Sequence, residues 1–216
     1  MEESPKKKIR NKEHSKQLLI DAVGTIIIRD GFQKIGINAI SKEAGVDKVL
    51  IYRYFGNLDG LLKAFAKQKD YWLNVEERLD IQKLEGTPQD LKNVATQLHI
   101  DFFRTIWENK EYQELLRWGL VDKNNLTEAL ALEHAEVAKK ILSYFAKVSE
   151  KAGIDVYAIG AITISSINYL ALHSKTNDTF GSIHLNTEEG KKRIEKGIID
   201  LMELVFDKIE SVNKEK

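Results

Sequence analysis

The sequence predicts an all-α fold of about nine helices. Apolar residues recur three and four positions apart along most of the 216 residues, which is the spacing of a helix with one buried face. Residues that favour helix ends stand before and after these stretches. No segment alternates apolar and polar residues as a half-buried strand does, and only two prolines occur in the whole chain. The sequence therefore predicts helices without a sheet.

The first three helices are predicted close together near the amino terminus. The first carries one apolar stripe and ends before Gly31, a residue type favoured just after a helix; the stripe comprises Leu18, Leu19, Ala22, Val23, Ile26 and Ile27. The second covers 37–44, and the third covers 48–55 with Asp47 as its cap. Ile51 and Phe55 lie four residues apart, so we expect them to pack together on the second helix.

The later helices are predicted mainly from their capping residues. Thr87 places a hydroxyl before Pro88, a combination favoured at a helix start. Asn125 and Glu128 have the spacing of a capping box, and Asp155 can cap an apolar helix. The predicted ranges are 59–79, 88–106, 111–121, 125–151, 156–173 and 188–209, with a polar loop at 174–186.

Composition and charge narrow the class of protein. The absence of cysteine excludes disulfides and thiolate chemistry. The charged amino terminus lacks the apolar core of a signal peptide, so we expect a cytoplasmic protein. The net charge is zero, yet residues 1–70 carry 14 Lys and Arg against 9 Asp and Glu, a net charge of +5, and the remainder carries −5. Either the amino-terminal part binds the phosphates of a nucleic acid, or the uneven distribution of charge is ordinary variation in surface composition.

The third helix has the composition of a helix that reads DNA. Lys48 and Arg53 can neutralise phosphates or donate to guanine, and Tyr52 and Tyr54 can donate hydroxyls to phosphate oxygens. Val49 and Leu50 offer apolar contacts to thymine methyl groups. Gly45 supplies a tight turn before this helix. A helix–glycine–helix pattern alone also fits any helical hairpin, so both interpretations remain open at this level.

Residues Ser15–Lys63 resemble the amino-terminal domain of the tetracycline-repressor (TetR) family. The matching positions are Ala22, Gly31, Phe32, Ile40, Glu43, Ala44, Gly45, Val46, Tyr52, Tyr54, Phe55, Leu61 and Leu62. The resemblance implies a helix-turn-helix transcriptional regulator, typically a repressor, that binds a palindromic operator as a homodimer and is released by a small hydrophobic ligand. Positions that match the family's DNA contacts are Asn38, Lys48, Val49, Leu50, Tyr52, Arg53 and Tyr54.

Two positions depart from the family pattern. Leu50 stands where a threonine or serine is frequent, and Leu58 stands where a phosphate-binding lysine is usual. A basic arm at the amino terminus can compensate by reaching along the DNA backbone or into the minor groove, or it is a solvated tail; it comprises Lys6, Lys7, Lys8 and Arg10. The predicted organisation is a flexible arm at 1–14, a DNA-binding domain at 15–58, and an effector-binding and dimerisation domain at 59–216.

The resemblance further implies that the last two helices form a four-helix bundle with a second copy. The apolar stripe of the last helix and the small residues of the preceding one permit this; otherwise these faces pack internally. The predicted interface residues are Ile162, Ser166, Ile194, Ile198, Leu201, Val205 and Ile209.

An aromatic-rich stretch near the middle of the chain is the candidate ligand pocket, although such clusters also fill ordinary cores. The predicted lining residues are His99, Phe102, Phe103, Ile106, Trp107, Leu116, Trp118, Leu120, Tyr169 and His173. His134, between Glu133 and Glu136, lacks the spacing of a helical metal site, so we expect no metal and no cofactor.

Two other classes of function compete with DNA binding. An enzyme is disfavoured because the chain has no glycine-rich phosphate loop, nucleophile elbow or paired metal motif. A DNA-independent helical adaptor remains as the alternative, with the outward side chains of the third helix binding a protein. The sequence identifies neither the effector nor the regulated genes.

Overall fold

The computed structural model describes residues 5–79 and 81–214, and it describes no side chains at 5–11, 76–78, 81–82 and 213–214. Within these residues the fold is all-α, as predicted, with nine α-helices of seven residues or more, one short α-helix, three 3-10 segments and one small hairpin. The helices are α1 Pro5–Asp30, α2 Ile37–Ala44, α3 Val49–Phe55, α4 Leu58–Lys69, α5 Ile81–Leu84, α6 Pro88–Glu108, α7 Lys110–Val121, α8 Asn125–Ser149, α9 Val156–His173 and α10 Glu188–Lys214.

Several predicted caps are present with the expected hydrogen bonds. Thr87 and Asp90 cap α6 reciprocally, since the Thr87 hydroxyl accepts from the Asp90 N–H and the Asp90 carboxylate accepts from the Thr87 N–H. Asp155 accepts from the N–H groups of Tyr157 and Ala158 at 3.0 Å each. These side chains satisfy backbone donors that the first turn leaves unpaired, which is why both helices begin where the sequence predicts.

Other boundaries were predicted wrongly. The fourth helix ends at Lys69 instead of continuing toward Leu79, because Asp70 takes an extended conformation and a 3-10 segment, Trp72–Arg78, follows. The side chain that caps α8 is Asn124, which accepts from Leu126 N and Thr127 N at 3.0 and 3.1 Å. Helix α8 ends at Ser149, and a 3-10 turn, Glu150–Ala152, follows it.

The loop at 174–186 contains a hairpin that the sequence did not predict. Strands β1 (Thr179–Phe180) and β2 (Ile183–His184) pair antiparallel, with Thr179 opposite His184 and Phe180 opposite Ile183. Each strand has only two residues, which is too short to show a polar–apolar alternation. A backbone helix also begins at Pro5, inside the segment predicted as a flexible arm.

The chain divides into two compact units. The first contains the described residues up to Asp70 together with Lys110–Ala131. Helices α4 and α7, which the sequence assigns to the carboxyl-terminal domain, therefore belong to the unit that contains α1, α2 and α3. Its core is continuous across these helices and includes Leu19, Val23, Ile26, Ile40, Ile51, Leu61, Phe65, Leu115 and Trp118.

The second unit contains the described residues of Tyr71–Asn109 and Leu132–Lys216. Helix α6 lies at its centre, since both α9 and α10 pack against it. Phe102, Phe103 and Ile106 are fully buried, and from α10 so is Ile209. An open cavity of about 340 Å³ lies between the end of α8 and the start of α9, and its lining residues are Ala146, Lys147, Ser149, Glu150, Ile154, Asp155, Val156 and Tyr157. None of the predicted pocket residues lines this cavity.

Candidate nucleic-acid interface

The turn between α2 and α3 is closed by local hydrogen bonds. Gly45 ends α2 with φ +64°, a left-handed conformation that favours glycine. Val46 N donates to Ser41 O at 3.2 Å, and the Ser41 hydroxyl donates back to Val46 O. Asp47 Oδ1 accepts from Val49 N at 2.8 Å, which caps α3. The direction in which α3 leaves the turn is therefore fixed.

Helix α3 presents one face to the core and another to solvent. Ile51 is fully buried, whereas Val49 and Tyr52 are 60% and 52% exposed. Lys48 and Arg53 are also exposed, as predicted. These four side chains combine two cations, a phenol and an aliphatic group on α3 and the residue before it, which matches the chemistry of phosphates and base edges in a DNA groove.

Two of the predicted DNA-contact residues are less exposed to solvent than the sequence predicts. Leu50 and Tyr54 are partly buried and pack against the core of the first unit. The Arg53 guanidinium lies 6.0 Å from the centre of the Tyr54 ring, so a cation–π contact with Tyr54 can orient the Arg53 side chain. Leu58 also packs against this core, which accounts for an apolar residue at the first position of α4.

The corner between α3 and α4 depends on two glycines. Gly56 follows α3 with φ +82°, and Asn57 Oδ1 then accepts from Gly60 N at 2.8 Å to cap α4. A Cβ added to Gly60 would collide with the backbone carbonyl of Phe55. Because this close approach leaves no room for a side chain, the corner holds the carboxyl end of α3 in place.

The amino terminus of α2 adds Lys34 and free backbone N–H groups to the predicted DNA contact Asn38. Gly36 precedes the helix and makes no side-chain cap, so the first backbone N–H groups remain open to an anion. Asn38 and Lys34 are exposed close to this end. The signal that could have revealed Lys34 is its position two residues before an uncapped helix start. The side chains of Lys6, Lys7, Lys8 and Arg10 lie outside the described residues.

An ion-pair network joins the end of α1 to α2. Arg29 donates to both carboxylate oxygens of Glu43 at 3.2 and 2.9 Å, and it also pairs with Asp30. The Arg29 hydrogen bond lowers the pKa of Asp30, and the two carboxylates raise the pKa of Arg29. Because these groups are exposed to solvent, the network contributes little to the free energy of unfolding. The two parallel hydrogen bonds from Arg29 to Glu43 nevertheless orient α2 on α1.

The predicted pocket residues do not form one group. Leu116, Trp118 and Leu120 belong to the first unit, where Trp118 is buried and Leu120 is exposed. His99, Phe102, Phe103, Ile106 and Trp107 lie on α6 in the second unit, where the ring centres of Phe103 and Trp107 are 4.8 Å apart. Tyr169 and His173 instead form a surface cluster with Phe180. That Tyr169 and His173 line a ligand pocket stays a prediction.

His99 is a buried polar group between α6 and α9. Its Nδ1 lies 2.7 Å from Ala95 O, and its Nε2 lies 2.8 Å from the Thr163 hydroxyl oxygen. A neutral ring satisfies both contacts when Nδ1–H donates to Ala95 and the Thr163 hydroxyl donates to Nε2. Burial lowers the pKa of His99 below its usual 6.5, so the ring is neutral at pH 7.

The predicted dimer residues fall into two groups. Ile162, Ser166 and Leu201 are exposed, and Ile198 and Val205 are partly buried. Ile194 and Ile209 are buried inside the protomer. The apolar stripe of α10 therefore has an inner side, which contains these two residues, and an outer side, and the predicted interface stays a prediction. Leu204, which the sequence analysis did not select, is 69% exposed on the outer side.

Helix α9 is long and apolar enough to cross a bilayer, with a mean hydropathy of 1.3 over 18 residues. A single helix of this kind is weak evidence, because core and interface helices share the property. Its inner face packs on α6 through Thr163 and His99. Within the described residues, no group of three or more His, Cys, Asp or Glu side chains could hold a metal ion.

Comparisons with known proteins agree with this geometry. Residues 19–65 match the family model described as bacterial regulatory proteins, tetR family. This range begins in α1, contains α2 and α3, and ends in α4. A search of curated proteins returned no match.

Several solved structures share the fold. A proposed fatty acid metabolism regulator of Clostridium perfringens superposes with a TM-score of 0.63 at 19% identity, over 85% of this chain and 97% of that one. The fatty acid degradation regulator FadR of Bacillus halodurans superposes with a TM-score of 0.61 at 18% identity, over 94% of this chain and 96% of that one. A tetR-family transcriptional regulator of Streptomyces coelicolor superposes with a TM-score of 0.57 at 16% identity, over 94% of this chain and 89% of that one. At these identities the likeness establishes the fold alone.

Proposed function

We propose that this chain is a member of the tetR family of bacterial regulatory proteins, whose model matches residues 19–65, and that it is a homodimeric cytoplasmic repressor. It binds a palindromic operator and is released by a small hydrophobic ligand. The observation that carries the proposal is the solvent face of α3. Lys48, Val49, Tyr52 and Arg53 stand exposed on a helix whose two ends are fixed by the Gly45 turn and the Gly60 corner. An exposed, rigid helix of this composition suits the major groove.

Contacts to the DNA backbone come from the surroundings of α3. Lys48 precedes the helix, and the uncapped start of α2 offers backbone N–H groups beside Asn38 and Lys34. These groups fix the register on the duplex, while Val49, Tyr52 and Arg53 reach the base edges. Leu58 supplies no phosphate contact, so Lys34 and the α2 terminus take a larger share of backbone binding.

A dimer accounts for the outer faces of α9 and α10. Ile162 on α9 is 69% exposed, as is Leu204 on α10, and α9 contains no Asp, Glu, Lys or Arg. Apolar surface of this extent is costly in a monomer. An isologous contact between two copies covers both faces at once and presents two copies of α3 to the two halves of a palindrome.

Release by a ligand requires two conformations of the dimer. The ligand must bind more tightly to the conformation whose recognition helices do not fit the operator, since equal affinity for both conformations shifts nothing. Phe102 and Phe103 are fully buried on α6, so an apolar ligand can enter this aromatic interior only in the conformation that separates these rings. Two of the similar structures are fatty acid regulators, so fatty acids of graded chain length are the first compounds to test.

The test of DNA binding is fluorescence anisotropy with the DNA upstream of the protein's own gene, against a scrambled duplex of the same composition. We expect specific binding by the wild type and none by Tyr52→Ala, with the variant still folded and dimeric by circular dichroism and sedimentation. Tyr52→Phe separates the hydroxyl contact from ring packing. Unchanged binding by Tyr52→Ala removes this residue from the interface.

The alternative, a DNA-independent adaptor, predicts a different outcome in the same assay. A folded dimer that binds the upstream and scrambled duplexes equally weakly contradicts the repressor proposal. Release of the operator is tested with compounds that raise the melting temperature of the protein. Each compound is added to the protein–DNA complex, and a fall in the fluorescence anisotropy of the DNA reports release. We propose no enzymatic activity, since the buried pair of His99 and Thr163 is engaged in structural hydrogen bonds.

A further inference from the structure

We propose that Asn168 on α9 recognises the effector through a hydroxyl group that the effector carries. The inference deepens the proposed function and rests on it, because it requires a small ligand that releases the operator. It names the class of that ligand as a neutral alcohol with an apolar body. It also gives a role to a residue that DNA binding leaves without one.

The side-chain oxygen of Asn168 is buried without a hydrogen bond. Within the described part of the chain, no group donates to Asn168 Oδ1, although solvent does not reach this atom. Other polar side chains of α9 are satisfied. The Thr163 hydroxyl pairs with His99 Nε2 at 2.8 Å, and the Ser166 hydroxyl donates to Thr163 O at 2.7 Å. A buried acceptor without a donor destabilises the folded state, so this amide is costly unless another molecule donates to it.

Asn168 lies on the side of α9 that faces α8. Gly160, Ile164 and Asn168 follow one another at four-residue spacing, so they share one side of the helix. A Cβ added to Gly160 would lie 3.3 Å from Leu142 Cδ2 on α8, which identifies α8 as the neighbour of this side. Asn168 therefore stands about two helical turns along α9 from a contact with α8.

The facing side of α8 is not packed tightly beside Asn168. Helices α8 and α9 are joined by a short 3-10 connection, and Leu142 and Gly160 lie at similar distances from it along the chain, as in an antiparallel helical hairpin. Ala138 and Ala135 precede Leu142 by four and seven residues, so they lie on the same side of α8. Ala138 is partly buried and Ala135 is exposed. Helix α9 therefore leaves this part of α8 open to a ligand.

The surroundings of Asn168 favour a neutral hydrogen-bond donor. Helix α9 contains no Asp, Glu, Lys or Arg, and the facing positions of α8 are Ala135 and Ala138. An ammonium group beside Oδ1 would therefore be buried without a counter-charge. A carboxylate has no proton to donate at neutral pH. A hydroxyl group avoids both costs, because it donates a hydrogen bond and carries no charge.

The burial of Asn168 Oδ1 couples recognition to conformation. Because solvent does not reach the atom in this structure, a ligand contacts it only after α8 and α9 move apart. The hydrogen bond then forms in the separated conformation and not in the packed one. The ligand therefore binds one of the two conformations more tightly, which is the condition for release of the operator.

The ligand class is tested on the complex of the full chain with operator DNA. The 1-alkanols of graded length are compared with their methyl ethers, which lack the donor, and with alkanoates, which carry a charge. We expect an alkanol to release the operator at roughly tenfold lower concentration than its ether. Asn168→Leu should abolish this preference, because leucine has no amide. Ser165→Ala, which removes an exposed polar group from the same helix, should retain it.

Thermal unfolding without a ligand gives an independent measurement. At least one of Asn168→Leu and the smaller Asn168→Val should raise the melting temperature, because each removes a buried acceptor that no group satisfies. Ser165→Ala should melt close to the wild type. If neither variant at position 168 raises the melting temperature, water or a second copy already satisfies the oxygen, and the proposal is overturned.

The hydroxyl contact and the proposed function fail separately. A wild type without sequence-specific DNA binding refutes the repressor. If the wild type binds its operator but responds equally to alkanols and ethers, or to neither, the hydroxyl contact is refuted and DNA binding stands. A preference for alkanols that persists in Asn168→Leu removes Asn168 from the ligand site.

Discussion

The indole ring of Trp118 stacks on the ring of Phe32, with centres 5.4 Å apart and planes inclined by 13°. Arg117 covers the Phe32 ring, with its guanidinium carbon 5.5 Å from the ring centre, and Trp118 Nε1 donates to Asp122 Oδ2 at 2.9 Å. Phe32 lies just before α2, and Trp118 lies on α7. The two residues therefore attach α7 to the helix-turn-helix segment by a packed aromatic contact.

Removal of the Trp118 ring should destabilise the first unit. We expect Trp118→Ala to lower the free energy of unfolding by about 3–5 kcal/mol, the usual cost of deleting a buried tryptophan. Trp118→Phe should cost less because the ring can still stack on Phe32. Chemical denaturation followed by circular dichroism measures both. Equal stability of Trp118→Ala and the wild type would show that this contact contributes little.

Substitution at the α3–α4 corner should affect both stability and DNA binding. Gly60→Ala places a methyl group against the Phe55 carbonyl, so the corner must open and α3 must shift. We expect a lower melting temperature and at least tenfold weaker operator binding. Gly119→Ala is the control, because its added methyl group meets no atom within 4 Å and a helical alanine gains about 0.5–1 kcal/mol over glycine. An operator affinity of Gly60→Ala equal to that of the wild type would contradict a fixed corner.

Operator affinity should fall steeply with salt if Lys48 neutralises a phosphate. Each phosphate contact contributes roughly 0.9 to the slope of log K against log salt concentration. Lys48→Ala should therefore reduce the slope by about one unit per protomer, whereas Lys123→Ala, an exposed lysine on the α7–α8 connection, should leave it unchanged. A flat salt dependence of the wild type would exclude the phosphate-contact model.

The buried His99 should make the protein less stable in mild acid. Because burial lowers its pKa in the folded protein, the unfolded chain binds a proton first as the pH falls below about 6.5. The unfolded state then holds more protons, so stability declines with falling pH until the folded pKa is reached. Melting temperatures between pH 7.5 and 5 should fall less for His99→Gln than for the wild type. His184→Gln, an exposed histidine, should behave as the wild type does.

Local sequence signals predicted the helices whose ends are set by their own side chains. The Thr87–Asp90 pair and Asp155 act within one turn of their helix, so their caps can be recognised without knowledge of the fold. The fourth helix was predicted too long, because its apolar spacing continues past Lys69 and only the extended backbone at Asp70 ends it. The hairpin strands were missed because four paired residues carry no periodic pattern.

The sequence by itself determined the all-α class, the helix-turn-helix segment and the outward residues of α3, since helix periodicity, caps and glycine turns are properties of neighbouring residues. Only the tertiary structure decided which apolar residues are buried. It placed Trp118 beside Phe32, turned Ile194 and Ile209 inward, left Leu204 outside, and brought Phe180 to Tyr169 at the surface. The reason is physical: an apolar stripe shows that a helix has a face to bury, but only the packing of distant segments selects the surface that covers it.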